Sequence, residues 1–216
     1  MVKYIISILI GYAFGLFQTG FIYGKTQGID IRTVGSGNVG TTNALRTLGK
    51  KAGLIVMIGD IAKCMLSILV TWLIFGRLNP SEDYLIRMVT GLGCIIGHNY
   101  PFYMNFKGGK GVACTAGLIM SISLILTLIG YPLFFITLAV THYASLASLF
   151  VGAMFMIGVV VLGQLGHFHM SGGHLTAMYI ITAIITAEMY YRHRENIRRL
   201  LNHTERKTYI FKKNRN

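Results

Sequence analysis

AGLIVMIGDIAKCMLSILVTWLIF, residues 52–75, decides the class of fold. A helix crosses the hydrocarbon core of a bilayer with about 20 mostly apolar residues. This stretch exceeds that length, and Asp60 and Lys63 are its only charges. Residues 4–23, 84–104, 112–129, 146–165 and 173–191 have the same character, with few charges inside. Residues 130–146 form a shorter candidate opened by Pro132, which the first turn of a helix tolerates. The expectation is an all-α, polytopic integral membrane protein with seven transmembrane helices, or six if 130–146 is left out.

Composition agrees. The chain has 216 residues, 53% hydrophobic and 12% charged, against about 25% charged in a soluble domain. Intrinsic disorder is excluded by the same figures. Twenty Lys and Arg face seven Asp and Glu, a net charge of +13. Such an excess suits nucleic acid, an anionic membrane surface or anionic substrates, and the placement of the charges decides between them.

Basic residues collect on the cytoplasmic side of membrane proteins. With seven spans and an extracytoplasmic N-terminus, Lys25, Arg32, Arg46, Lys50, Lys51, Lys107 and Lys110 share one side with the basic tail from Arg192. Lys3, Arg77 and Arg87 remain outside. Six spans would separate the tail from Lys107 and Lys110, so seven is preferred. Phe21-Ile22-Tyr23 closes the first span with no small-residue cleavage site after it, so no cleaved signal peptide is expected. Cys64, Cys94 and Cys114 are solitary, in or at the ends of spans, and read as buried reduced thiols. With no internal repeat, residues 1–216 form a single domain.

Two glycine-rich loops fall on the inner side. The first, Gly35-Ser36-Gly37-Asn38-Val39-Gly40-Thr41-Thr42-Asn43-Ala44-Leu45-Arg46, matches GxGxxG, but that pattern signals a dinucleotide only within a βαβ unit, and none is present. Its composition still suits an anion: glycines leave backbone N–H groups open to approach, Ser36, Thr41, Thr42, Asn38 and Asn43 add neutral donors, and Arg46 can grip a phosphate bidentately. In the second, Gly97-His98-Asn99 leads to Phe106-Lys107-Gly108-Gly109-Lys110-Gly111. Gly111 follows Lys110 where a nucleotide-hydrolysing P-loop needs Ser or Thr. A glycine turn with two lysines before a helix remains suited to anions.

Other polar features are sparser. Asp60 and Lys63 share a face of one span, where an ion pair is costly and faces protein interior or a wet cavity. In the tail, His193 and Asn196 share a helical face, while the surrounding arginines suit lipid head groups. Ser145 and Ser148 are spaced for helix packing. His167, His169 and His174 lack an accompanying carboxylate or cysteine, so no metal is expected. The inner loops before the tail hold one acid, Asp30, too few for magnesium-dependent transfer. The residues therefore describe a cytoplasmic face that binds phosphate-like anions without metal.

At these positions the chain resembles the bacterial PlsY-type acyl-phosphate:glycerol-3-phosphate acyltransferases over essentially its whole length. The resemblance rests on Ser36 to Asn43, on Gly97-His98-Asn99 with Phe106 to Ala113, and on His193-Arg194-Glu195-Asn196-Ile197. Asp60 with Lys63, Ser145 to Ser148, and Thr204-Glu205 add to it. It implies seven helices in the bacterial plasma membrane and an active site on the cytoplasmic side. It implies transfer of a fatty acyl group from acyl phosphate to glycerol 3-phosphate, giving lysophosphatidic acid and phosphate. No cofactor, metal, nucleotide, nucleic acid or obligate protein partner enters that scheme; membrane lipid does. The chain departs from the family pattern at Cys64 and His203, where glycine is usual, at His142, where arginine is frequent, and in the His-rich segment 164–174.

On that resemblance Ser36, Thr42 and the glycine N–H groups of Gly37, Gly40, Gly108 and Gly109, with Lys107 or Lys110, would hold one phosphate. Arg46, Asn38, Asn43, His193 and Asn196 would orient the other, with Ser145 nearby. Ser36, His98, Arg46 and Lys107 are the expected catalytic group. Either His98 or a substrate phosphate oxygen takes the proton. The rival expectations are a transporter of phosphate or a small organic phosphate, and a non-catalytic lipid-binding scaffold.

Overall fold

The computed structural model describes residues 1–170 and 172–209; the expected tail charges Lys212, Lys213 and Arg215 lie outside the described residues. All regular structure among the described residues is helical, in the order α1 (Val2–Gly15), α2 (Thr19–Thr26), α3 (Thr41–Leu48), α4 (Lys50–Ile74), α5 (Asp83–Asn99), α6 (Val112–Ile122), α7 (Leu124–Thr141), α8 (Ala144–Gln164), α9 (Gly172–Arg192) and α10 (Arg194–Leu201), joined by short 3-10 turns. Helix occurs at each of the seven expected positions, and the all-α membrane class holds.

Among the described residues four segments are long and apolar enough to cross a membrane: Val2–Thr26, Lys50–Leu78, Leu124–Thr141 and Ala144–Gln164. The central α5 buries Thr90, His98 and Asn99 among protein neighbours, so its polarity reflects packing rather than solvent. α6 has 11 residues, roughly 16 Å at 1.5 Å per residue, about half of a hydrocarbon core.

Two boundaries differ from the sequence expectation. The first span, expected as 4–23 without interruption, breaks between Gly15 and Thr19. The freed carbonyls find side-chain donors: Lys63 Nζ donates to Phe17 O at 2.7 Å and Gly15 O at 3.4 Å, and Gln18, within the break, donates Nε2 to Gly15 O and across to His98 O at 3.1 Å each. Lys63 reaches the break from α4, and Gln18 is tied to His98 O of α5, so local hydropathy carried no sign of it. The second difference concerns Pro132. It does not open a helix but lies inside α7, and the α6–α7 boundary falls at Ser123, whose side chain accepts from Leu126 N. Ser123 is extended, φ −158° and ψ 121°, and its capping displaces the boundary that proline suggested.

α1 and α5 meet through two small-xxx-small pairs, Gly11 with Gly15 and Gly93 with Gly97. A Cβ at Gly11 would lie 2.1 Å from Thr90 O, and one at Gly93 would lie 2.3 Å from Ile8 O. Membrane helices gain affinity from such backbone approach, since lipid supplies little hydrophobic drive. The three cysteines are free and buried, in a core cluster with Leu118, Phe155 and Met178. Within this frame the inner ends of α3, α6 and α8, the loops before α3 and α6, and the fold-back after α10 surround one cavity.

Candidate active site

That cavity has a volume of about 490 Å³. One end is polar, lined by Ser36, Thr42, Arg46, Lys110, His193 and Glu205. The other is an apolar arm between α6, α7 and α8, with Ala116, Ile119, Gly130, Phe134 and Val151 on its walls. Head and arm are continuous.

The first glycine loop turns through Gly35 and Gly37, at φ +61° and +71°, a region glycine occupies without strain. Asn43 holds the turn: its Oδ1 accepts from Ser36 N at 2.8 Å, and its Nδ2 donates to Ile31 O at 3.2 Å and Val34 O at 3.1 Å. Expected as a substrate contact, Asn43 thus spends its polar atoms shaping the loop. Asn38 Oδ1 accepts from Gly40 N at 3.0 Å. Ser36 is exposed on the cavity. α3 starts at Thr41 without a side-chain cap, so its first-turn N–H groups face the head as open donors, and Thr41 Oγ1 is buried there without a partner.

Arg46 lies one turn along α3. Its Nη2 donates to Arg206 O at 2.6 Å and to Thr208 Oγ1 at 2.5 Å, and its Nε is buried without a partner. Burial lowers its pKa, with Arg206 and Arg199 adding repulsion and Glu205 opposing it. Lys110 Nζ donates to Asn196 Oδ1. Burial pushes the Lys110 ammonium down to about 8; Glu205 opposes the shift, while Arg199, Arg192 and Arg46 reinforce it.

The second glycine loop acts differently from expectation. Gly108 N donates to Asn99 O and Gly109 N to His98 O, both at 3.0 Å, so neither N–H is open to an anion. The carbonyls are taken as well: Arg192 Nη2 donates to Gly108 O at 3.1 Å and Gly109 O at 2.7 Å, with its guanidinium over the Tyr100 ring. These glycines let the loop press on the end of α5, because a Cβ at Gly109 would lie 1.9 Å from His98 Nε2. Lys107, expected beside a phosphate, is exposed and absent from the cavity wall, whereas Lys110 lines it.

His98 is buried on the cavity wall, with Nδ1 2.8 Å from Lys63 Nζ. An ammonium can only donate, so Nδ1 accepts and the ring proton sits on Nε2. Asp60 Oδ1 is 3.8 Å from Nδ1, but its close partners are Lys63 at 2.9 Å and Thr19 Oγ1 at 3.0 Å. The lone pair that a general base would use is therefore occupied. His193 presents the opposite tautomer: Nδ1 lies 2.8 Å from Met189 O, which can only accept, leaving a lone pair on Nε2. Burial pushes the His193 imidazole down to about 4, and Lys110's charge adds to the shift.

Glu205 organises the third side. Its Oε1 accepts from Asn196 Nδ2 at 2.7 Å and Ser145 Oγ at 3.1 Å, and its Oε2 accepts from Arg199 Nε at 2.7 Å. Ser148 instead bonds Ala144 O within its own helix.

A family model described as Glycerol-3-phosphate acyltransferase matches residues 5–203. A curated relative called glycerol-3-phosphate acyltransferase from Clostridioides difficile is 36% identical over 208 residues, 95% of each chain. One of that description from Bacillus subtilis is 36% identical over 201 residues, 93% of this chain and 95% of its own. The chain belongs to the glycerol-3-phosphate acyltransferase family. The transporter and scaffold alternatives fall with that membership. Two solved structures of an integral membrane glycerol 3-phosphate acyltransferase, PlsY (YgiH), superpose on it. The glycerol 3-phosphate form has a TM-score of 0.82 at 32% identity, covering 95% of this chain and 96% of that one. The lysophosphatidic acid form has a TM-score of 0.80 at 31% identity, covering 96% of each.

Two departures from the family pattern now have a geometry. His203 has φ +55° and His142 has φ +62°, left-handed conformations that cost a side chain with a Cβ about 1 kcal/mol or more. At 203 the family's usual glycine suits the turn that brings Glu205 back to Ser145. At 142 the carbonyl accepts from Thr208 N at 2.7 Å, tying the tail to the end of α7.

Glu205, Arg192, Arg199 and Arg206 on the cavity wall went unassigned in the residue reading, which gave the basic tail to lipid. The missed signal was the buried acid among those bases. Its meaning depends on a fold-back after α10 that no helical periodicity encodes.

Proposed function

We propose that this acyltransferase uses acyl phosphate as its donor and glycerol 3-phosphate as acceptor, forming lysophosphatidic acid and phosphate at the cytoplasmic face of a bacterial plasma membrane. In this reading the chain crosses seven times with its N-terminus outside, which puts both glycine-rich loops on the cytoplasmic side. The observation that carries the reading is the cavity's division into a cation- and amide-rich head joined to an apolar arm. An acyl phosphate has that division: a dianion on a hydrocarbon chain.

The acceptor hydroxyl oxygen bonds to the acyl carbonyl carbon, the carbon–oxygen bond to phosphate breaks, and the hydroxyl proton passes to a phosphate oxygen. Acyl phosphate is already an activated anhydride, so holding both anions in register supplies much of the rate. Ser36, the α3 N-terminus, Arg46 and Lys110 bind and orient the phosphates, and their fixed dipoles and charges stabilise the oxyanion. His98 has no lone pair to spare. The His193 conjugate acid, at about 4, makes its ring a weaker base than a phosphate monoester dianion, whose pKa is about 6. Substrate phosphate is thus the better proton acceptor.

The test is purified protein with acyl phosphate and labelled glycerol 3-phosphate. Lysophosphatidic acid and phosphate should form in equal amounts, and Ser36→Ala and Lys110→Ala should be strongly slowed. Absence of acylated product, with both variants indistinguishable from the parent, overturns the reading.

A further inference from the structure

The apolar arm has a floor. From Val112 to Ile119 on α6, and from Ala144 to Val151 on α8, the wall climbs away from the polar head. Each climb spans seven residues, roughly 10 Å at 1.5 Å per residue. Beyond it the space between the same helices is filled by Ile122, Leu126, Phe155 and Val159, each no more than 3% exposed. Packing there is close: a Cβ at Gly158 would stand 2.4 Å from Leu126 Cδ2.

At the level where the arm ends, α7 presents Gly130 to it. Glycine in a helix interior costs about 1 kcal/mol relative to alanine, so a glycine here is not explained by helix formation. Close backbone packing does not demand it either. The one neighbour a Cβ would meet is Met154 Cε at 2.7 Å, the free end of a flexible side chain. A side chain at 130 would therefore have to turn Met154 aside or reach into the end of the arm, whose wall Gly130 forms.

We propose that Gly130 sets how far an acyl chain can enter, and so determines the acyl-chain-length preference; this rests on reading the arm as the acyl site. A larger residue at 130 shortens the arm while leaving the phosphate head, at the other end of the cavity, unaltered. Long donors then lose their terminal methylenes' contacts or are held with the carbonyl displaced from the acceptor. Short donors are indifferent.

The experiment measures kcat/KM for acyl phosphates from eight to eighteen carbons with the parent, Gly130→Ala and Gly130→Leu. Inhibition by lysophosphatidic acids of the same lengths gives a readout independent of the donor. Gly130→Ala removes a helix-breaking residue and guards against loss through misfolding. Gly130→Leu should lose at least about tenfold on the longest donors relative to the shortest, the scale of discrimination a methylene gains in an apolar pocket, with Gly130→Ala intermediate. Inhibition should shift to shorter lipids in parallel. A uniform slowing across all lengths, or an unchanged profile, overturns the role of Gly130 while the donor reading stands. A parent that transfers from no acyl phosphate overturns the donor reading and this inference with it.

Discussion

Raising the pH from 7 to 9 should switch off the cation that Lys110 brings to the phosphate head. Burial holds its ammonium at about 8, so about nine-tenths is charged at pH 7 and about one-tenth at pH 9, one pKa unit being a factor of ten in the ratio of forms. The sign follows from a lysine pKa depressed by burial: the charged form is lost on the alkaline side, within the range where the protein can be assayed. If only the charged form binds the phosphate productively, kcat/KM for glycerol 3-phosphate falls about tenfold across that window. The acceptor's own phosphate, with a second pKa of about 6, is already about nine-tenths dianionic at pH 7 and adds no falling limb. The assay is initial rate at subsaturating acceptor, because kcat/KM reports groups of the free enzyme. The control is Lys110→Arg, whose guanidinium stays charged above pH 12. Its rates should be lower, since a planar guanidinium does not fit where the compact ammonium sits, but flat between pH 7 and 9. A parent profile flat to pH 9.5, or the same limb surviving in Lys110→Arg, refutes the assignment.

Three further outcomes follow from the same geometry. Glu205→Gln removes the one acid that opposes the Lys110 shift, so the alkaline limb should move to lower pH. Lys107→Ala, at an exposed position off the cavity wall, should keep kcat/KM within about twofold of the parent, the scale of a surface change; a hundredfold loss would restore Lys107 to the site. Gly109→Ala drives a methyl into His98 and should destabilise the fold by about 1–3 kcal/mol, the cost of overpacking, measured as a lower midpoint in thermal unfolding of the solubilised protein.

Much of the site was legible residue by residue. Ser36, Arg46 and Lys110 stood out because a cation or hydroxyl among glycines on the inner side has few partners other than an anion. Gly108 and Gly109 looked the same and were not: their N–H groups are consumed by His98 O and Asn99 O. Sequence spacing records which donors exist, not which are already spent. His98 is a related case, since the lysine that occupies its Nδ1 lies 35 positions away in sequence.

Residue order alone carried the membrane class and the helical content, together with the expectation that charge collects on one side. Those depend on hydropathy over about 20 residues and on charge asymmetry between loops, both additive along the chain. Tertiary structure decided which polar groups remain available. The break in the first span exists because Lys63 and Gln18 satisfy its carbonyls, and the tail enters the site because Glu205 meets Ser145, Asn196 and Arg199. In a low-dielectric interior an unpaired polar group is expensive, so each donor is committed to whichever acceptor the fold brings within reach. That commitment divides the glycines, lysines and histidines into those that shape the cavity and those left facing it.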